Sequence, residues 1–186
     1  MHILLDAIGS IDTLDKRSVF MLLLVLLFSL FLMLRFGLRN RVRWKQVRNI
    51  RTAANVLERI QNLPAPAALS YLRKIDPFVF EELLLTAFER KGNRVIRNQR
   101  YTGDGGIDGR IMESGKLILI QAKRYKSYVS KQHLTTFLAL IRKTGASRGY
   151  FIHTGKTGVS TIKEFSSDKL TIISGQKLID LLRDEK

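Results

Sequence analysis

Cysteine is absent from all 186 residues, and acidic residues are scarce. Without cysteine the chain cannot form disulfide bonds, thiolate metal sites or a cysteine nucleophile. The 16 Asp and Glu stand against 32 Lys and Arg, so the formal net charge is +16 at pH 7. A protein this basic suits a polyanionic partner, because each phosphate that a cation neutralises releases counterions. Nucleic acid is the preferred class of partner, and anionic lipid is the alternative.

Charge is missing altogether from residues 18–34, where two serines are the only polar residues. As a helix this run spans about 26 Å, slightly less than a hydrocarbon core, and Leu38 extends it if Arg35 snorkels to the interface. No polar face remains, which argues against a buried helix of a small soluble domain. We therefore predict a single transmembrane helix at residues 18–38.

An Ala-x-Ala cleavage site is also missing after the apolar run, which argues against a removable signal peptide. Seven cations follow the run instead: Arg35, Arg39, Arg41, Arg43, Lys45, Arg48 and Arg51. Dense positive charge marks the cytoplasmic side of a membrane, and only Lys16 and Arg17 precede the run. These charges predict a single-pass protein of the inner (cytoplasmic) membrane, with its N-terminus outside and its C-terminal domain in the cytoplasm.

The pattern divides the chain into five segments. They are a short N-terminal segment at 1–17, the transmembrane helix at 18–38, a basic juxtamembrane helix at 39–63, a linker with a short helix at 64–75, and a globular domain at 76–186. The basic residues of the juxtamembrane helix suit anionic headgroups, with DNA contact as the alternative. Its apolar stripe, which includes Leu57 and Ile60, can also pair with a second copy and make a homodimer.

The globular domain alternates helical and strand patterns. Asp76-Pro77 is typical of a helix start, with Asp as the N-cap and Pro in the first turn, and Gly92 ends that helix. The predicted order from there is α-β-β-β-α-β-α-β-α. Such an order indicates an α/β domain with a mixed central sheet flanked by helices.

Polar side chains are concentrated on two neighbouring predicted strands. Asp108 lies on the first strand, Glu113-Ser114-Gly115 forms the turn, and Gln121 and Lys123 lie on the second. Side chains alternate along a strand, so Gln121 and Lys123 share a face and Ala122 points the other way. An acid, an amide and a free carbonyl together can form a binding site for Mg²⁺, which prefers oxygen ligands and is held by only one or two carboxylates. The lysine adds positive charge where a phosphate would meet an attacking water.

Two nucleotide-binding motifs are excluded because the chain lacks a feature that each of them requires. Gly155-Lys156-Thr157 ends like a P-loop, but Tyr150 stands where the first glycine is needed. The glycine-rich loop at 101–106 is followed by a strand, whereas a dinucleotide fingerprint opens a helix. Asp104 in this loop is interpreted as a turn residue, with a direct metal role as the alternative.

The site lies inside a longer resemblance. Five stretches in order are similar to Mrr-type restriction endonucleases, a branch of the PD-(D/E)xK nuclease superfamily in which glutamine replaces the second acid. They are Asp76 to Gly92, Gly-Asp-Gly-Gly-Ile-Asp-Gly at 103–109, Gln-Ala-Lys-Arg-Tyr at 121–125, Phe-Ile-His-Thr-Gly at 151–155 and residues 172–182. His153 departs from the family's Thr-Thr-Gly. The resemblance implies a restriction-endonuclease-like fold and Mg²⁺-dependent hydrolysis of DNA, with Mn²⁺ able to substitute.

The resemblance also assigns roles to single residues. It implies that Glu81, Asp108, Gln121 and Lys123 are catalytic, and that Asp108, Gln121, the Ala122 carbonyl and Glu81 hold the metal. On position alone the preferred interpretation is that Glu81 satisfies the helix dipole, and only the Phe80-Glu81 match to the family favours a catalytic role. Its neighbour Glu82 is expected to be solvated. A catalytically inactive membrane-tethered DNA-binding protein and a membrane scaffold without DNA contact are the rival classes of function.

Overall fold

The computed structural model describes residues 15–98, 105–165 and 167–183, without the side chains of residues 38–40 and 42. Asp104 and most of the predicted N-terminal segment lie outside the described residues. The chain divides into two compact units, Met1–Lys45 and Gln46–Lys186.

The first unit contains most of helix α1, which runs from Lys16 to Gln61 as one continuous helix where the sequence predicted two. Within it, Lys16–Gly37 is long and apolar enough to cross a membrane, and none of its 18-residue apolar core is buried in the protein. A signal sequence near an N-terminus has the same properties, so the membrane span stays a prediction. Gly37 does not interrupt the helix, since a single interior glycine costs only about 1 kcal/mol.

The second unit begins with the last turns of α1 and contains the remaining elements. The helices are α2 (Ala65–Leu72), α3 (Pro77–Arg90), α4 (Lys131–Thr144), α5 (Val159–Phe165) and α6 (Gln176–Leu182), and the strands are β1 (Arg94–Arg97), β2 (Gly109–Glu113), β3 (Lys116–Lys123), β4 (Arg148–His153) and β5 (Leu170–Ile173). From α3 onward the order is the predicted one. Helix α2 begins at Ala65, inside the predicted linker, because Pro66 lies in the first helical turn, where proline is tolerated.

The five strands form one sheet in the order β1-β2-β3-β4-β5. Strands β1, β2 and β3 are antiparallel neighbours, whereas β3, β4 and β5 are parallel. The β2–β3 hairpin turns at Ser114 (φ 50°) and Gly115 (φ 76°), as expected for a two-residue turn with positive φ at both positions. The predicted mixed sheet flanked by helices is confirmed.

Two hydrophobic cores cover the two faces of this sheet. One contains α3, α6 and the β3 side chains Ile118, Ile120 and Ala122, and the other contains Leu119 of β3 with Phe137 of α4. The first core also buries side chains from the end of α1, namely Ala53, Val56, Leu57 and Ile60, each at most 4 % exposed. Leu57 and Ile60, which were predicted to pair with a second copy, are therefore packed in the core of their own chain. A fragment that began at residue 64 would lose this part of the core.

Candidate active site

Asp108 is attached to strand β3 by two hydrogen bonds. Its backbone N–H donates to the Ile120 carbonyl at 2.9 Å, and its Oδ2 accepts the Ala122 N–H at 2.7 Å. The second bond fixes the carboxylate beside the strand that carries Gln121 and Lys123. A carboxylate held by a backbone N–H is a preorganised ligand for a cation or a polar substrate.

The Ala122 carbonyl lies on the same side of β3 as Asp108. Carbonyls of successive strand residues point to opposite neighbours, and the Lys123 carbonyl accepts the Thr154 N–H beyond β4, at 3.2 Å. The Ile120 carbonyl, two residues before Ala122, accepts from Asp108. Both observations direct the Ala122 carbonyl toward Asp108, which agrees with its predicted use as a metal ligand.

Gln121 is turned toward the loop that precedes Asp108. Its side chain is only 5 % exposed, and Nε2 donates to the Gly106 carbonyl at 2.7 Å. Gly106 has a φ of +94°, and a Cβ there would lie 2.7 Å from Nε2, so only glycine allows this approach. The other amide atom, Oε1, is buried and has no hydrogen-bond partner among the described residues. An oxygen left in this way is available to a cation or an ordered water.

Glu81, on α3, lies within the electrostatic reach of two other predicted site residues. Burial, followed by the negative charges of Asp108 and Glu82, raises the pKa of its carboxyl to about 8, although the Lys123 ammonium acts to lower it. The carboxyl is half-buried. A cation would favour its charged form, as an opposite charge does for any acid. The charges of Asp108 and Lys123 thus both act on the carboxyl of Glu81.

The structure brings only some of the predicted site residues into direct contact. Asp108 contacts Ala122 directly, and Glu81 interacts with Asp108 and Lys123 through charge, but Gln121 bonds to Gly106 rather than to another predicted ligand. Side chains alternate along β3 as predicted, since Ala122 lies in the core beneath α3 while Gln121 faces the opposite way.

The expectation that Glu82 is solvated is wrong. Glu82 is 1 % exposed, and its Oε2 pairs with Arg97 Nε at 3.0 Å while its Oε1 accepts from Gln46 Nε2 at 3.3 Å. Arg97 also bonds to the surface residue Glu89 at 2.8 Å. A buried carboxylate needs such partners, because leaving it unpaired costs several kcal/mol. The helix that carries Glu81 is thereby attached to β1 and to α1.

Asn98 is a positioning residue that the sequence pattern did not indicate. Its Nδ2 donates to the Ile107 carbonyl at 2.5 Å, and its Oδ1 accepts from Arg110 Nη1 at 2.7 Å. These two contacts lie on either side of Asp108 in the chain. Asn98 therefore restrains the backbone that presents the carboxylate, and no motif signals this role because Asn98 follows β1 and its partners lie nine and twelve residues further along the chain.

His153 occupies the position where the resemblance departs from the family pattern. The ring is fully buried, its Nδ1 accepts the Gly155 N–H at 3.1 Å, and its Nε2 lies 3.0 Å from Thr157 Oγ1. Since Nδ1 accepts, the ring proton is on Nε2, which donates to Thr157. Thr157 Oγ1 lies 3.0 Å from Ser174 Oγ, so the histidine joins the ends of β4 and β5.

This burial predicts a pH dependence of stability. Burial lowers the pKa of His153 from 6.5 to about 4, so the unfolded chain takes up a proton at a higher pH than the folded one. The contribution of His153 to stability is complete above pH 6.5 and falls by about 3 kcal/mol as the pH drops to 4, whereas the raised pKa of Glu81 acts in the opposite direction. Comparing urea unfolding of the compact unit Gln46–Lys186 with that of its His153→Gln variant, each at pH 7 and pH 4, isolates the contribution of His153. On going from pH 7 to pH 4 the wild type should change by about 3 kcal/mol more towards instability than His153→Gln, and equal changes would contradict the assignment.

The site fits a hard divalent cation through its oxygen atoms. Among the described residues, no three His, Cys, Asp or Glu side chains are grouped closely enough to hold a metal ion. The available ligands are therefore two carboxylates, Glu81 and Asp108, with the neutral oxygens of Gln121 and Ala122. Mg²⁺ keeps several waters and binds through one or two carboxylates, so this set of oxygens is sufficient.

The mixed five-stranded sheet flanked by helices defines the fold class, a restriction-endonuclease-like domain. A family model described as a restriction endonuclease, the Mrr catalytic domain, matches residues 72–182, more than half of the chain. The chain belongs to this family of Mrr-type restriction endonucleases, as the resemblance predicted. Among curated proteins, none matches it in sequence.

Three solved structures are similar in fold. The restriction endonuclease MspJI in complex with a 27-mer oligonucleotide is 25 % identical over 63 % of this chain, with a TM-score of 0.47. The restriction endonuclease FokI is 10 % identical over 70 % of this chain (TM-score 0.45), and Pyrococcus furiosus SfsA in complex with Ca²⁺ is 18 % identical over 52 % (TM-score 0.35). The alignments cover 30 % of the MspJI chain, 29 % of the FokI chain and 54 % of the SfsA chain.

Proposed function

We propose that this protein is a membrane-anchored, Mg²⁺-dependent DNA endonuclease that hydrolyses phosphodiester bonds. The observation that carries the proposal is the position of the Asp108 carboxylate, which accepts the Ala122 N–H at 2.7 Å. Its negative charge and the positive charge of Lys123 both act on the Glu81 carboxyl. Membership of a restriction endonuclease family supports the reaction and the DNA substrate. The net charge of +16 suits the same polyanion.

Each residue has a distinct part in this proposal. Asp108, the Ala122 carbonyl and Gln121 Oε1 would hold the cation, with Glu81 as a direct or water-mediated ligand. The cation, when bound, would supply positive charge to the phosphate and lower the pKa of a bound water. Lys123 would orient that water and stabilise the negative charge that develops on the phosphate oxygens. Because Gln121 is neutral, we expect weak metal binding that improves when DNA is present.

The amino-terminal part of the chain would place this activity at a membrane. Lys16–Gly37 is long and apolar enough for one span, and seven Lys and Arg follow Leu34 by residue 51. We propose a single-pass protein with its N-terminus outside and its nuclease domain in the cytoplasm, where DNA is available. Cutting both strands of a duplex in one encounter favours a pair of sites, so we also propose that two copies act together on DNA.

One observation favours a second candidate, a membrane-tethered DNA-binding protein without catalysis. The described residues contain no cluster of three acidic or histidine ligands for a metal ion. Such a protein would keep the basic surface and bind DNA in a salt-dependent manner without cutting it.

Plasmid cleavage by the full chain in detergent distinguishes the two candidates. We expect nicking or linearisation with Mg²⁺ or Mn²⁺ and none in EDTA. Asp108→Ala should abolish the cleavage, because it removes the charged ligand that the Ala122 N–H fixes. The matched control is Asp180→Ala, which removes an exposed carboxylate on α6 and should cut at the normal rate. Binding without cleavage in the wild type would favour the second candidate, and equal cleavage by Asp108→Ala would refute the site.

A further inference from the structure

Two loops at the carboxyl ends of β3 and β4 are joined to each other by backbone hydrogen bonds. We call them the paired loops, residues 124–129 and 154–157. The Lys156 N–H donates to the Ser127 carbonyl at 2.9 Å, and the Val129 N–H donates to the Lys156 carbonyl at 3.0 Å. Thr154 Oγ1 donates to the Tyr125 carbonyl at 3.0 Å. The parallel pairing of β3 and β4 is thereby continued past the ends of both strands.

A glycine makes this close approach possible. A Cβ on Gly155 would lie 2.3 Å from the Ser127 carbonyl oxygen and 2.6 Å from the Tyr125 Cβ. Both neighbours belong to the facing loop and one is backbone, so any side chain at 155 would force the loops apart. The paired loops therefore hold a defined backbone conformation.

Three side chains project from this fixed backbone into solvent. Lys126 and Lys156 are exposed, and Tyr128 is 65 % exposed. Within residues 15–98, 105–165 and 167–183, neither lysine has a carboxylate partner, whereas nearby Lys131 pairs with Glu164 at 2.5 Å. The fold does not use these two positive charges or the tyrosine ring. Unpaired cations beside an exposed aromatic residue suit an external polyanion.

The first of the paired loops begins directly after Lys123, the last residue of β3 and of the candidate active site on that strand. Lys126 is three residues beyond Lys123, so their Cα atoms are at most about 10 Å apart. A DNA strand rises 3.4 Å per nucleotide, so that distance corresponds to about three nucleotides. Cations within this distance of Lys123 would meet phosphates within about three nucleotides of the one that is cut.

We propose that Lys126, Tyr128 and Lys156 form the surface that holds the phosphate backbone of duplex DNA beside the scissile bond. This inference rests on the proposed function and adds the residues that bind the substrate outside the reacting centre. Phosphate contacts position a duplex without reading its sequence, and lysine and tyrosine both make them. Each ammonium that neutralises one phosphate contributes about 0.9 to the slope of log affinity against log salt concentration.

The experiment measures that slope. The full chain in neutral detergent carries Asp108→Ala, so that DNA is not cut, and binds a fluorescent duplex of mixed sequence in 50–200 mM KCl. Adding Lys126→Ala and Lys156→Ala should lower the slope by about 1.8, so the loss of affinity across this salt range becomes about tenfold smaller. Lys126→Arg with Lys156→Arg should restore the slope, which shows that charge rather than folding is measured.

The control removes the same charge from the opposite end of the sheet. Lys116 begins β3 and Lys143 lies in the last turn of α4, and both are exposed. Lys116→Ala with Lys143→Ala should leave the slope unchanged. Equal slopes for the paired-loop variant and its parent would overturn this inference alone, provided that the parent binds DNA and the wild type cuts it. An absence of any salt-dependent DNA binding by the parent would overturn the proposed function as well.

Discussion

Replacing Lys123 with alanine is expected to lower the rate of DNA cleavage by about 10²–10³-fold, with a much smaller effect on DNA binding. The ammonium is half-buried at the end of β3 and acts on the Glu81 carboxyl in the same site as Asp108. A preorganised charge aimed at a developing negative charge contributes about 3–4 kcal/mol to a barrier. Single-turnover cleavage with Mg²⁺ in excess measures the chemical step.

A matched control for this variant lies on the same strand. Lys116→Ala removes an exposed lysine from the other end of β3 and should leave the single-turnover rate within about twofold of wild type. A Lys123→Ala protein that cleaves as fast as Lys116→Ala would exclude Lys123 from the reaction. A loss confined to DNA affinity would make Lys123 a binding residue rather than a catalytic one.

Replacing Arg97 with alanine is expected to destabilise the domain by about 3 kcal/mol, which lowers its melting temperature by roughly 10 °C. The variant leaves the Glu82 carboxylate, whose side chain is 2 % exposed, without the guanidinium that lies 3.0 Å away. The bond from Gln46 at 3.3 Å remains, so the expected loss is at the lower end for a broken buried ion pair. Thermal unfolding of Gln46–Lys186 measures the change.

Two further variants separate the buried pair from the exposed one. Glu89→Gln removes the other acidic partner of Arg97, and it should cost less than about 1 kcal/mol because the Glu89 side chain is 53 % exposed. Combining Arg97→Ala with Glu82→Gln should recover most of the loss, because a neutral amide is far less costly to bury unpaired than a carboxylate. If Arg97→Ala proved no more harmful than Glu89→Gln, Glu82 would not be a buried charge.

Much of the fold was predictable because its signals are local. Asp76 and Pro77 mark a helix start, and the structure shows Asp76 Oδ1 accepting from Phe78 N at 2.8 Å with Pro77 as the first helical residue. Ser114 and Gly115 turn the hairpin as predicted. Alternation along β3 correctly separated Ala122 from Gln121, since a strand places successive side chains on opposite faces.

The features that the sequence did not predict depend on contacts between distant residues. Nothing near Glu82 in the chain indicates that it is buried, because its partners come from Arg97 on β1 and Gln46 on α1. The apolar stripe that includes Leu57 was interpreted as a surface that can pair with a second copy. Only the folded structure shows that it packs in the core with α3.

Direct binding of Mn²⁺ tests the central claim, that oxygen ligands beside β3 hold a divalent cation. Electron paramagnetic resonance of the free ion is followed during titration of the full chain with the same amount of duplex DNA in every sample, with Asp108→Ala and the exposed-carboxylate control Asp180→Ala in parallel. We expect the wild type and Asp180→Ala to remove the same amount of free Mn²⁺, and Asp108→Ala to remove much less. Equal uptake by Asp108→Ala and the wild type would contradict the metal site and the hydrolytic function built on it.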